Sequence, residues 1–159
     1  MRIRETVEKD LVFVDAIFNS ARDFMRLNEN PHQWNQNYPT SRDVAQDIKS
    51  KRAFVCVNDD DIPIGTFALF DYEPAYDYIE GVWLSDKPYK AVHRIATVRK
   101  GKIGSFIIKF LEEKYEHLRI DTHENNVPMQ NLLTKFNFKR CGIIYIPDHG
   151  QRVAFEFVK

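Results

Sequence analysis

The sequence predicts a mixed α/β fold, a single sheet flanked by helices. Apolar residues recur at helical spacing in some segments. Between them lie short runs of β-branched and aromatic residues, bounded by polar turns. Read in order, the elements run β-α-α-β-β-β-α-β-α-β-β, with no repeat, low-complexity tract or linker. One domain over 1–159 is therefore expected.

Met1 to Thr6 alternates weakly, as an edge strand does. Leu11, Val14, Ile17, Phe18, Ala21 and Met25 recur at helical spacing, giving an amphipathic helix over 9–27. The stretch 29–40 is rich in Asn and Pro and reads as a loop carrying Trp34 and Tyr38. Thr40 or Ser41 caps a helix near 41–50, with Asp43 in its first turn. Residues 53–57 and 62–70 make a hairpin around the acidic turn Asn58 to Asp61. The tyrosine-rich stretch 71–90 is irregular, with an extended piece near 79–84. Residues 91–98 form a buried strand, 99–104 a glycine-containing turn, and 105–117 a helix. A strand at 118–122, a helix at 126–136 and two final strands at 141–146 and 153–158 complete the order.

Composition narrows the function classes. Lysine plus arginine and aspartate plus glutamate both number 23, so the formal charge is zero. That balance gives no footprint for nucleic acid and no polybasic membrane anchor. No stretch approaches the roughly 18 apolar residues of a spanning helix. The N-terminus lacks the apolar core of a signal peptide. Cys56 and Cys141 sit in apolar, strand-like runs, the setting of free thiols in a reducing compartment. These features predict a cytoplasmic protein.

The chemistry concentrates at 91–117. A helix N-terminus offers unpaired N–H groups and partial positive charge, and a glycine turn lets backbone approach a phosphate. Arg99-Lys100-Gly101-Lys102-Ile103-Gly104 thus suits a pyrophosphate. The turn follows a late strand, which argues against a dinucleotide-binding first turn, and it lacks the Gly-Lys-Ser/Thr ending of a P-loop.

Arg99, Lys102 and Gly104 resemble the Gln/Arg-x-x-Gly-x-Gly/Ala cofactor motif of the GNAT acetyltransferases. Lys102 stands where glycine is usual, with Gly101 one position earlier as the residue to take over the unusual backbone conformation. Downstream, Asn126, Met129, Leu132, Leu133, Lys135, Asn137 and Phe138 keep the register of the family's Asn-x-x-Ala-x-x-Leu-Tyr-x-Lys-x-Gly-Phe motif. Asn137 replaces its glycine and Leu133 its tyrosine. The resemblance covers about the C-terminal two thirds of the chain.

The resemblance implies a mostly antiparallel sheet with a splayed strand pair and about four helices. It implies acetyl-CoA as cofactor, no metal, and an acceptor that is a small-molecule amine or a peptide N-terminus. Dimers are common in the family, so a homodimer is compatible. The pantetheine arm would pair with the backbone of Ile95, Ala96 and Thr97. The pyrophosphate would lie on Arg99, Lys100, Gly101, Lys102, Ile103, Gly104 and Ser105, and Asn126 and Met129 would touch the cofactor from the next helix. His93 on the strand and Glu80 are the candidate bases, acting alone or through a shared water relay. The family's acid position falls on Leu133, which carries no proton, and Tyr145 is the candidate substitute. A coenzyme A thiolate also leaves tolerably without an acid. Trp34, Tyr38, Tyr76 and Trp83 are candidates to line an acceptor pocket. A non-catalytic acyl-CoA sensor of the same fold is the alternative. His117 and His123 show no metal spacing and read as surface histidines.

Overall fold

The computed structural model describes residues 1–159. In chain order they form β1 (Arg2–Glu5), α1 (Leu11–Leu27), α2 (Ser41–Lys49), β2 (Ala53–Val57), β3 (Pro63–Phe70), β4 (Glu80–Gly81), β5 (Lys90–Thr97), α3 (Ile103–Lys114), β6 (His117–Thr122), α4 (Val127–Lys135), β7 (Lys139–Ile146) and β8 (Gly150–Val158). This is the expected order, with the extended piece near 79–84 realised as β4. The residues group into two compact units, Met1–Leu69 with Arg94–Ile107, and Phe70–His93 with Ile108–Lys159.

In the first unit β1, β2 and β3 form an antiparallel ladder, with Arg2 opposite Val57 and Ala53 opposite Ala68. The C-terminal half of β5 follows β3, and the Val98 N–H donates to the Ile64 carbonyl at 2.9 Å. The hairpin turn closes because the Asn58 side-chain oxygen accepts from the N–H groups of Asp60 and Ile62. Val14, Ile17, Phe18 and Ala21, spaced three and four apart, put one face of α1 onto Val55, Val57 and Ala96. Each valine, isoleucine or phenylalanine among them contributes roughly 1.5–3 kcal/mol when fully buried. Thr40 and Asp43 form a capping box that starts α2, and the Ser41 N–H donates to Asp15 of α1 at 3.0 Å.

In the second unit the strand order is β5-β6-β8-β7-β4. The N-terminal half of β5 runs parallel to β6, from Lys90 opposite Leu118 to Val92 opposite Ile120. The β6–β8, β7–β8 and β4–β7 pairs are antiparallel, so the sheet is mostly antiparallel as expected. Gly81 of β4 lies opposite Gly142 of β7. A Cβ on either would fall 2.1 Å from a carbonyl oxygen of the other strand, which only glycine at both positions avoids. The core here is Tyr76, Ala91, Ile144 and Ala154. The Asn126 side chain accepts from the Met129 N–H and caps α4, and Asn137 ends the segment with φ of 60°. Asparagine thus does the glycine's work at that position.

Several boundaries shift from expectation: β7 starts at Lys139 and β8 at Gly150, and one shift relocates a histidine. Helix α3 starts at Ile103 and stops at Lys114, so His117 opens β6 and is buried, not a surface histidine. No helix is long and apolar enough to cross a membrane.

Candidate active site

Five residues, Val98 to Lys102, separate the end of β5 from α3. Gly101 takes φ of 68°, a conformation costly for other residues, while Lys102 does not. The glycine one position early therefore supplies the backbone turn. A Cβ at Gly101 would meet nothing within 4 Å, so its surroundings are open. The Phe106 N–H closes the first helical bond, to the Lys102 carbonyl at 2.9 Å. The N–H groups of Ile103, Gly104 and Ser105 precede it and have no partner within the helix. Arg99, Lys100 and Lys102 are exposed beside them, with the Arg99 guanidinium 3.3 Å above the Phe24 ring of α1. Cations, open helical N–H groups and a left-handed glycine are the features that could hold a phosphate. Gly65 of β3 makes room for this helix: a Cβ there would lie 3.1 Å from both Ile103 and Ile107.

Strand β5 changes conformation at Arg94, whose φ is 54°. Its side chain reaches the buried carboxylate of Asp47 through Nε at 3.1 Å and through Nη2, and the Tyr38 hydroxyl through Nη1 at 3.2 Å. Burial works against the Arg94 charge, but Tyr38 and Asp47 outweigh it and raise its pKa. Beyond this residue the strand alternates. Val98 N–H points to β3, so those of Ile95 and Thr97 point to the opposite edge. The parallel ladder to β6 ends before them, at Val92.

His93 precedes Arg94. Its ring and that of Phe70 stand nearly perpendicular, with centroids 4.9 Å apart at 87°, and Tyr76 lies tilted at 6.1 Å. Its Nε2 is shut off from solvent and lies 2.9 Å from Glu73 Oε2. The separation is that of an ion pair, although the N–H direction is not that of an aligned hydrogen bond.

The fold has counterparts among solved structures. The structure of a GNAT-family acetyltransferase from Streptococcus agalactiae 2603 matches with a TM-score of 0.89 and 30% identity, covering 99% of this chain and 95% of that one. The chain belongs to the GNAT family. It is an acetyltransferase. A ribosomal-protein-alanine N-acetyltransferase from Brucella melitensis shares the fold at 16% identity, with a TM-score of 0.68 and full coverage of both chains. AAC(6')-Ib in complex with Parmomycin and AcetylCoA shares it at 18% identity and a TM-score of 0.65, covering 99% of this chain and 92% of that one. No family model and no curated protein sequence matches this GNAT chain.

Two expected partners of His93 lie elsewhere. Glu80 is exposed on β4 and accepts from the Tyr145 hydroxyl of β7 at 2.7 Å. That hydrogen bond raises the Tyr145 pKa. Strands β6, β8 and β7 separate β4 from β5, so Glu80 stands four ladder spacings from the His93 strand, roughly 19 Å across a sheet. This corrects the expectation of a water relay joining His93 to Glu80. It also removes Tyr145 as the acid for the same centre. Leu133 is fully buried and offers no proton.

The aromatics divide by burial. Tyr76 is 1% exposed, its hydroxyl donates to Asp121 at 2.7 Å, and burial with that carboxylate raises its pKa well above the ordinary value. Tyr76 is thus a core residue and not a pocket wall. The Trp83 Nε1 donates to the Tyr76 carbonyl at 2.9 Å, and its ring underlies the Arg119 guanidinium. Trp34 packs edge-on against Phe18. Tyr38 keeps a half-buried hydroxyl on Arg94.

Glu73, Asp47 and Arg94 went unread in the sequence. Arg94 sits in a run that reads as regular strand, and no local signal marks its left-handed backbone. Glu73 lies 20 positions before His93 and meets it only through the fold.

Proposed function

We propose that this acetyltransferase moves the acetyl group of acetyl-CoA directly onto a primary amine, with His93 as general base. The carrying observation is a single strand–turn–helix. Along the chain His93 is followed by the left-handed Arg94, by Ile95 and Thr97, and by the glycine turn from Arg99 to Ser105, an order that supports the reading.

The donor supplies an activated acetyl thioester. The N–H groups of Ile103, Gly104 and Ser105, with Arg99, Lys100 and Lys102, hold its pyrophosphate. The backbone of Ile95, Ala96 and Thr97 aligns its arm as an added strand. One of those N–H groups stabilises charge that develops on the carbonyl oxygen. His93 takes the proton of the attacking amine, and the thiolate departs as an anion that collects its proton from water. Holding the two reactants together supplies most of the rate gain.

The acceptor is proposed as a small-molecule amine or a peptide N-terminus. The Parmomycin complex of AAC(6')-Ib supports the first class and the ribosomal-protein-alanine enzyme the second. Thermal unfolding with acetyl-CoA tests donor binding: at a hundred times the dissociation constant the gain is about 2.7 kcal/mol. Thiol release across a panel of amines tests transfer. A thermal shift with amine-dependent release supports the reading, and no shift at saturating acetyl-CoA contradicts it.

A further inference from the structure

We infer that Glu73 is a positioning residue for His93: it fixes the proton on Nε2 and leaves Nδ1 as the basic nitrogen that meets the amine. The inference rests on His93 being the base, and it assigns a residue that the sequence did not offer.

Four observations carry it. Glu73 Oε2 lies 2.9 Å from His93 Nε2, and that nitrogen is closed to water. An ionised carboxylate only accepts hydrogen bonds, so the tautomer it favours is the one with the proton on the nitrogen it faces. The His93 side chain is 15% exposed and Nε2 contributes none of that exposure, which leaves Nδ1 as the ring nitrogen assigned to the amine. The ring cannot swing freely, because Phe70 stands perpendicular to it and Tyr76 leans against it.

Glu73 is itself fixed. Its Oε1 accepts from the Ala75 N–H at 3.1 Å, and its own N–H donates to the Tyr89 hydroxyl at 3.2 Å. Pro74 follows it and opens a short turn that ends at Tyr76. One five-residue stretch, Glu73 to Asp77, thus supplies both the carboxylate behind the ring and the aromatic wall beside it. The off-axis approach of the carboxylate suits a pair that tightens when the reactants bind, as catalytic hydrogen bonds commonly do.

The proton balance is simple. The amine nitrogen forms a bond to the acetyl carbon and gives its proton to Nδ1. The carbon–sulfur bond breaks and sulfur leaves with the electron pair. Nε2 keeps its proton throughout, Glu73 stays ionised beside the transient imidazolium, and Nδ1 then returns its proton to water.

The test combines kinetics with the ring nitrogens of His93, observed by NMR in protein carrying 15N-histidine. The wild type should show a protonated Nε2 and an unprotonated Nδ1 in the neutral ring. Glu73→Ala should mix the two tautomers and lower kcat by about tenfold or more, as loss of an orienting carboxylate does. The KM for acetyl-CoA should stay within about twofold, since a residue that acts through the base changes kcat and not donor binding. Glu73→Gln, whose carbonyl still accepts from Nε2, should recover part of both signals and covers the case in which the alanine variant folds poorly. In a His93→Ala background the Glu73 change should cost nothing further. Unchanged tautomer and kcat in Glu73→Ala, with His93→Ala inactive, would overturn the role of Glu73 alone. Additive losses in the double variant would show a merely structural carboxylate and overturn it equally. Wild-type turnover in His93→Ala would instead overturn the base assignment itself.

Discussion

Arg94 and Asp47 hold the break in strand β5. The arginine stands at φ of 54°, where a side-chain-bearing residue costs about 1–3 kcal/mol, and its guanidinium meets a carboxylate that is 1% exposed. Asp47 also accepts from Arg52 Nε at 2.7 Å, so one buried carboxylate ties α2 to β5 and to the segment between α2 and β2. The conformation that turns the Ile95 and Thr97 N–H groups outward is secured from the side-chain end.

Asp47→Ala should therefore destabilise the protein by about 3 kcal/mol, the scale for removing one partner of a buried ion pair. Urea unfolding measures it. Because Arg94 is displaced with its partner, the affinity for acetyl-CoA should fall in the same variant. A loss below about 0.5 kcal/mol would show that the ion pair does not secure the break.

Acid stability should carry the signature of Asp10. Burial pushes its carboxyl up, but the Arg4 guanidinium and the Val7 N–H more than offset this, and its pKa lies below the ordinary 3.8. A carboxyl depressed in the folded state contributes stability that is fully present above its unfolded pKa and is lost as pH falls through the folded one. The unfolding free energy should thus decline below about pH 4. Asp10→Asn should flatten that decline while lowering stability at neutral pH. Denaturant titrations from pH 7 to pH 2 would record both.

Glu156 organises a second buried cluster. It is wholly buried, accepts from Arg119 Nε at 3.0 Å and from His117 Nε2, and also takes the Leu84 N–H. Arg119 lies between the Trp83 and Tyr89 rings and donates to the Ser85 carbonyl, while His117 Nδ1 meets the Pro88 carbonyl. The cluster therefore clasps the segment from Trp83 to Tyr89. Burial, then the Glu156 charge, pushes the neighbouring Cys141 thiol up to about 11. Native protein at pH 8 should react slowly with a thiol reagent at Cys141, and denaturation should restore ordinary rates. Glu156→Gln should quicken Cys141 labelling and increase amide exchange across 83–89. Unchanged exchange there would show that the segment is held by other contacts.

Much of this was legible in the sequence, for physical reasons that also mark the limits. The helical face of Val14, Ile17, Phe18 and Ala21 was visible because burial imposes its spacing locally. The glycine turn before α3 was visible because Gly101 and the following helix start are neighbours in the chain. The Glu73–His93 pair was not, since ion pairs across a fold leave no local pattern. Glu80 misled because it lies in a tyrosine-rich stretch near His93 in sequence, yet pairing with Ile143 carries it to the far edge of the sheet. His117 misled because polarity suggested exposure, whereas Glu156 and Pro88 receive its ring nitrogens in the interior.

The most direct test of the account is the stoichiometry of transfer. Enzyme, acetyl-CoA and a reactive amine are mixed, and the released thiol, the acetylated amine and the mass of the protein are followed together. The account predicts one thiol released per amine acetylated on nitrogen, no acetyl group on the protein, and loss of both products in His93→Ala. Accumulation of acetylated protein, or thiol release without an acetylated amine across the acceptor panel, would contradict direct transfer to a primary amine.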